Sequence, residues 1–237
     1  MSKINQISRL AAPDSWPIAR KGIKWVAKPY PGAHSLQNSM ALNTWLLEIM
    51  QLAKIRKNIK RVITAKEIFV NGKQAKEEKM PLGIFDVLSI PKLKKNYRVT
   101  LNKIGKLVLI EIPDHDARTI PAKIISKKTI GSGKHQFNCS NGWNVLSGKS
   151  DYKIGDVLLF EANTRKVVKH LALKPGNIIF ATGGKHVGEI AKLKEIKELG
   201  DLKKKKTAVL TGEKEEWETS LDKIFTIGES KQEIKVQ

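Results

Sequence analysis

Apolar residues between positions 41 and 63 recur with the period of an α-helix. Leu42, Trp45, Leu46, Ile49 and Leu52 fall on one face, and Ile55, Ile59, Val62 and Ile63 repeat the pattern. The spacing predicts two helices, the second with Lys54, Arg56, Lys57, Lys60 and Arg61 on its polar side. The apolar β-formers of Glu67–Val70 then run into Asn71-Gly72-Lys73, the pairing favoured in two-residue hairpin turns. With a return through residues 74–79 and a strand at Val87–Ile90, this predicts two helices and a short sheet. From 97 to 175 the pattern changes to short runs rich in Val, Ile, Leu, Thr and Phe: YRVTL, KLVLIEI, AKIISKKTI, HQFNCS, DVLLFEA and KVVKHLAL. Their irregular spacing predicts a small barrel or sandwich. Between 174 and 196 an apolar strand, NIIFAT, enters Gly183-Gly184-Lys185-His186-Val187-Gly188 and leaves as a second strand. EWETSLDKIFTIGE predicts closing strands, and the tail KQEIKVQ is expected to fray.

Charge sharpens this picture. The 237 residues include 44 Lys or Arg against 23 Asp or Glu, a formal net charge of +21 and a pI of about 10.0. Self-repulsion on that scale opposes compaction unless a polyanion relieves it, and such a pI belongs to the electrostatic footprint of nucleic-acid binders. Residues 1–100 hold 19 cations and 6 acids, so they carry +13 of the total. No acid occurs between Lys54 and Lys66. Like charges at i, i+4 on a helix repel, and a phosphate backbone turns that cost into affinity.

Residues 1–40 read as an extended basic arm. Pro13, Pro17, Pro29 and Pro31 discourage long helices, while Trp16, Trp25 and Tyr30 sit among Arg9, Arg20, Lys21, Lys24 and Lys28. Aromatics interleaved with cations suit a segment that orders on RNA, by stacking and phosphate neutralisation. They equally suit a basic arm whose tryptophans pack on their own protein. Off RNA the arm is expected to be unstructured. Lys203–Lys206 reads either as a loop at an RNA surface or as a solvated turn, with the turn preferred.

Catalytic signals are missing. Cys139 is the single cysteine, which excludes internal disulfides and cysteine-rich zinc sites. No GxGxxG, P-loop or HExxH occurs, and the histidines lack metal-ligand spacing. Asp114-His115-Asp116 follows a proline and reads as a turn. The chain is therefore not expected to be an enzyme, and no cofactor or metal is expected. No run approaches a membrane span and the N-terminus has no apolar signal core, so a cytoplasmic location is expected.

Three resemblances order these elements. Helix, basic helix, EIFVNGK and DVLSI resemble the small RNA-binding module named after bacterial ribosomal protein S-four, the alpha-L motif. That resemblance implies RNA contact by Lys54, Arg56, Lys57, Lys60, Arg61, Asn71, Gly72 and Lys73. The strand–GGKHVG–strand unit resembles the KOW motif, implying contact by Gly183, Gly184 and the loop tips Lys185 and His186. Finally Ser8–Pro13, Ser15–Ile18, Arg20-Lys21-Gly22, Lys24-Trp25 and PGAHS at 31–35 are similar to the N-terminal segment of the archaeal and eukaryotic-type (e-type) small-subunit ribosomal protein four family, with Ala33 where a second proline is usual. On this resemblance Arg9, Trp16, Arg20, Lys21, Lys24, Trp25, Lys28, His34 and Ser35 join the expected RNA-contacting set. The family order covers nearly the whole chain. It implies an α+β, mostly β protein: arm 1–40, alpha-L module 41–96, central β barrel or sandwich 97–173 and a small KOW-like barrel 174–237. The implied role is structural, in the small ribosomal subunit, with small-subunit ribosomal RNA and neighbouring ribosomal proteins as partners and neither membrane nor DNA.

Overall fold

The computed structural model describes residues 6–131, 133–148, 151–199, 205–212 and 215–236. It is mostly β, built from antiparallel sheets. β1 (Gln6–Ser8) and β2 (Trp25–Ala27) pair as a ribbon, and β3 (Ser39–Ala41) later pairs with β6 (Pro81–Gly83). The predicted first helix is short: α1 (Leu42–Thr44) passes into a π-helical stretch, Trp45–Ile49. It ends at Gln51, whose φ is +51°, where Leu52 N–H returns to the Leu46 carbonyl at 3.0 Å. That closure reaches six residues back, wider than an α-helical turn, and with Gln51 in the left-handed region it stops the helix and splits the helical periodicity into two elements. α2 (Arg56–Thr64) is the second, burying Ile59 and Ile63.

β4 (Phe69–Val70) and β5 (Lys73–Gln74) form the hairpin expected from Asn-Gly. Asn71 and Gly72 have φ of +51° and +72°, the pair of positive dihedrals a type I′ turn requires. β7 (Val87–Ile90), β8 (Lys95–Leu101) and β9 (Leu107–Ile112) extend the same sheet in the order β5-β4-β7-β8-β9. Hydrogen bonding therefore runs unbroken across residues 96 and 97, where the alpha-L module was expected to end.

α3 (Asp114–Ala117), a single helical turn where a turn was expected, leads into the central sheet. Its strands are β10 (Thr119–Ile130), β11 (Lys134–Cys139), β12 (Asn144–Ser147), β13 (Val157–Glu161) and β14 (Val167–Leu171), in the order β12-β11-β10-β13-β14. A bulge between Ile124 and Ser126 lets β10 pair with β13 along its first half and β11 along its second. The last sheet contains β15 (Ile178–Ala181), β16 (Ile190–Leu199), β17 (Lys205–Thr211), β18 (Glu216–Ser220) and β19 (Ile224–Gly228). Its order is β18-β17-β16-β15-β19, so the two edge strands are joined only by the turn Leu221–Lys223. A connection that short rolls the sheet into a small barrel. Lys203 and Lys204 lie outside the described residues, and Lys205 and Lys206 begin β17 rather than a turn.

One large core joins these parts. Phe85, in the turn before β7, meets Phe225 at 4.0 Å and Phe180 at 5.9 Å between ring centroids. Val157, Leu159 and Leu171 of the central sheet enter the same cluster. So do two segments expected to be loose. Trp16 and Val26 of the arm are buried in it, so the described part of the arm, residues 6–40, is packed on the protein without RNA, against the expectation that the arm orders only on RNA. Ile234 and Val236 are also buried in it, so the described part of the tail is docked rather than frayed. Glu233 and Ile234 N–H groups bond the Ile227 carbonyl, and the buried Arg98 guanidinium donates to the Lys235, Asp116 and Thr119 carbonyls. Burial pulls Arg98 down to about 10, still charged at neutral pH. Ile234→Ala is expected to cost about 3 kcal/mol in urea unfolding; an unchanged midpoint would show that the tail contributes no packing.

Candidate nucleic-acid interface

α2 presents the densest free charge. Lys54 precedes it, and Lys57, Lys60 and Arg61 lie on it; all are exposed, and none has an ion-pair partner among the described residues. Lys57, Lys60, Arg61, Thr64 and Ala65 line an open concavity of about 510 Å³. Arg56 differs from its neighbours. Its guanidinium is bonded to Glu78, which also holds it above the ordinary arginine range, and the same contact lowers the Glu78 carboxyl. The β4–β5 turn adds Lys73, which is exposed.

Asn71 and His34 are taken up by the fold instead. The Asp86 carboxylate is buried and accepts from Asn71 Nδ2 and from Gly83 N–H, both at 2.7 Å, with His34 Nε2 at 3.1 Å. Asn71 Oδ1 accepts the Val87 N–H at 2.8 Å. The His34 ring lies flat against Gly83, where any Cβ would collide with it. Gly72 is pressed on Ala162 and Asn163, so it fixes the hairpin against the central sheet. Burial disfavours the His34 imidazolium, but the Asp86 hydrogen bond and charge outweigh it, and the pKa lies above the usual histidine value. Stability gained this way is complete below the unfolded-state pKa of about 6.5 and is lost as pH rises through the folded value.

The arm divides similarly. The Arg9 guanidinium forks onto both Glu48 carboxylate oxygens at 2.8 Å and bonds the Ile23 and Ala19 carbonyls at 2.9 Å. Trp16 is core, with its indole N–H on the Leu36 carbonyl at 3.1 Å. Both side chains are thus engaged within the fold, Arg9 by Glu48 and backbone carbonyls and Trp16 by the core. Of the two readings of the arm's tryptophans, packing on its own protein holds for Trp16. Trp25 is half exposed with Lys24 Nζ 5.3 Å from its ring centroid. Lys21, Lys28 and Ser35 are exposed, and Arg20 is exposed with a loose 3.3 Å contact to Asp14. Pairs that exposed contribute little.

In the glycine loop, Gly184 (φ +96°) and Lys185 are exposed and Gly183 half-buried. His186 is no tip: its ring stacks on Trp217 at 4.5 Å and 13°, and Nδ1 meets Glu189 at 3.1 Å. The loop rests on the β8–β9 turn, since a Cβ on Gly188 would strike Asn102 and Lys103 backbone. That turn, closed by Asn102 Oδ1 on the Ile104 and Lys106 N–H groups, exposes Lys103 and Lys106. The arm reaches the same end of the molecule through the Ser15 carbonyl, bonded by Leu107 N–H at 2.8 Å. Sequence reasoning passed over Lys103 and Lys106; the Asn-x-x-Gly turn in NKIGK is the signal that marks them. His34→Gln should lower stability more at pH 5.5 than at pH 8.5 in chemical unfolding; equal loss at both would show that the His34–Asp86 charge pair contributes nothing.

No group of side chains suited to a metal ion occurs among the described residues, and none of their helices is long and apolar enough to cross a membrane. Residues 93–167 match the model of the ribosomal family S4e, and residues 6–37 match the RS4NT (NUC023) domain. The small ribosomal subunit protein eS4 of Methanocella arvoryzae is 37% identical over 224 residues, covering 94% of each chain. That of Archaeoglobus fulgidus is 36% identical over 220 residues, covering 93% of this chain and 92% of its own. The crystal structure of the 30S ribosomal protein S4e from Thermoplasma acidophilum superposes with a TM-score of 0.70 at 24% identity, covering 81% of this chain and 96% of that one, and so shares the fold. Similar in sequence to these archaeal proteins along nearly its whole length, the chain belongs to the S4e family, whose members are structural proteins of the ribosome and not enzymes.

Proposed function

We propose that the chain binds and stabilises folded small-subunit ribosomal RNA as a structural constituent of the small subunit in the cytoplasm, beside neighbouring ribosomal proteins, and so supports translation. The observation that carries this reading is the sorting of charge on and around α2. Arg56 is tied to Glu78, while Lys57, Lys60 and Arg61 are left unpaired around one open concavity. A helix face of unpaired cations is unfavourable alone and favourable against phosphates, whose counterions are released on contact. RNA helices expose phosphates and 2′-hydroxyls across a shallow groove, and an exposed helix edge of lysine and arginine suits them.

Arg20, Lys21, Lys24, Trp25, Lys28 and Ser35 of the arm extend the surface. So do Lys54 and Lys73 beside α2, and Lys185 with Lys103 and Lys106 at the glycine-loop end. Residues 41–96 act as the alpha-L module and 174–237 as the KOW-like unit of this reading, with arm 1–40 and central domain 97–173 completing it.

Lys57→Ala, Lys60→Ala and Arg61→Ala combined should weaken binding to small-subunit RNA at least tenfold at about 100 mM salt, with the thermal midpoint unchanged because the three side chains are exposed. Filter binding and a melting curve read the two arms. Full affinity in the triple variant would remove α2 from the interface. Release of the chain from salt-washed small subunits would mark it as a transient factor rather than a constituent.

A further inference from the structure

We infer that the outer face of the β10–β11–β12 hairpin sheet is a second, independent RNA-binding surface, directed at phosphates and ribose hydroxyls. β13 pairs with β10 only over Thr119–Lys123. Beyond the bulge, Ser126–Ile130 pair with β11 alone, so the hairpin projects past the central core. Its core-facing side is accounted for: Phe137 is buried against Tyr152, and Lys127 Nζ lies 5.5 Å from the Phe137 ring centroid. Register puts Lys128 opposite Gln136, Ser126 opposite Asn138 and, one strand on, Leu146 opposite Gln136, all on the other side.

That side is free of opposing charge. Residues 117–150 contain no Asp or Glu. Lys128 and Lys134 are exposed, and neither has an ion-pair partner among the described residues. The C-terminal barrel is the internal contrast: there Lys194 meets Glu216 at 2.8 Å, and Lys197 meets Glu195 and Glu218 at 3.2 and 3.1 Å. The hairpin amides are also ordered in advance. Gln136 Nε2 donates to Asn138 Oδ1 at 2.7 Å, and Asn138 Nδ2 donates to Ser126 Oγ at 2.8 Å. A row of fixed amide and hydroxyl groups flanked by unpaired lysines offers donors to phosphate and both donors and acceptors to the 2′-hydroxyl. Leu146, 65% exposed, and Ile130, 40% exposed, share this side with Lys128, Lys134, Gln136, Asn138 and Ser126, and two such side chains among polar groups do not make it an apolar docking patch.

The inference rests on reading the chain as an RNA-binding ribosomal protein, and the experiment separates the two. Lys128→Ala with Lys134→Ala, in the full chain, is compared with wild type and with the α2 triple variant for binding to small-subunit RNA across a salt series. The expected result is a shallower log–log salt slope, by about two, at an unchanged thermal midpoint. Hydroxyl-radical footprinting should lose one patch of backbone protection while the patch lost in the α2 variant stays. An unchanged slope with intact footprint overturns the hairpin surface while the α2 result upholds the wider reading. Absence of binding by wild type overturns both. Loss of a neighbouring ribosomal protein from Leu146→Ser particles, with both RNA measurements unchanged in the lysine variant, assigns the face to protein instead and overturns the inference.

Discussion

A surplus of 21 positive charges on one chain is the constraint to which the rest of the structure answers. Such a surplus pushes a compact state apart. Four of the 23 acids are placed where the fold needs a cation or a turn held. Glu48 receives Arg9, Glu78 receives Arg56, and Asp86 receives His34 together with the Asn71 amide. Asp156 does the same in the central sheet, taking His170 at 2.7 Å and the Lys153 and Leu173 N–H groups. Two cations that lack a carboxylate partner among the described residues use backbone carbonyls instead. One is Arg98. The other is Lys123, whose ammonium reaches the Leu221, Asp222 and Ile224 carbonyls and is drawn down to about 8 by burial. Unpaired cations among the described residues stand on the outside, on α2, the arm, the loops and the β10–β11 hairpin.

Cohesion comes from apolar contact among parts that look separate in sequence. Phe85, Phe180 and Phe225 join the region around β7 to the C-terminal barrel, Lys123 fastens the central sheet to that barrel, and the tail returns to the core through Ile234 and Val236. The basic surfaces are thus carried on one frame with fixed relative positions. That matters for a partner such as folded RNA, which presents phosphates in a set geometry, because ordering lost before binding is not charged against affinity.

The sequence made legible those features whose cause is local. Period 3.6 located α2 and its buried Ile59 and Ile63, runs of β-forming residues located most strands, and Asn71-Gly72 located the type I′ hairpin, since only particular residues accept two successive positive φ values. The family resemblance supplied the order of the parts. Features with distant causes stayed hidden. Arg9 reads as a free arm cation until Glu48, 39 residues away, is seen beside it. His34 is separated from Asp86 by 52 positions, and Trp16 joins a core drawn from across the chain. A hydrophilic tail with isolated Ile and Val has no periodicity to reveal docking. The same limit hid the Lys103–Lys106 turn, whose relevance comes from its contact with the glycine loop.

The central claim is that unpaired surface cations, and not a shaped pocket, bind the RNA. The most direct test is the affinity of the full chain for small-subunit ribosomal RNA as salt is raised. Contact with six or more phosphates predicts a linear log–log decline that costs about a thousandfold or more between about 50 and 200 mM salt. An affinity that stays flat over that range would contradict the account.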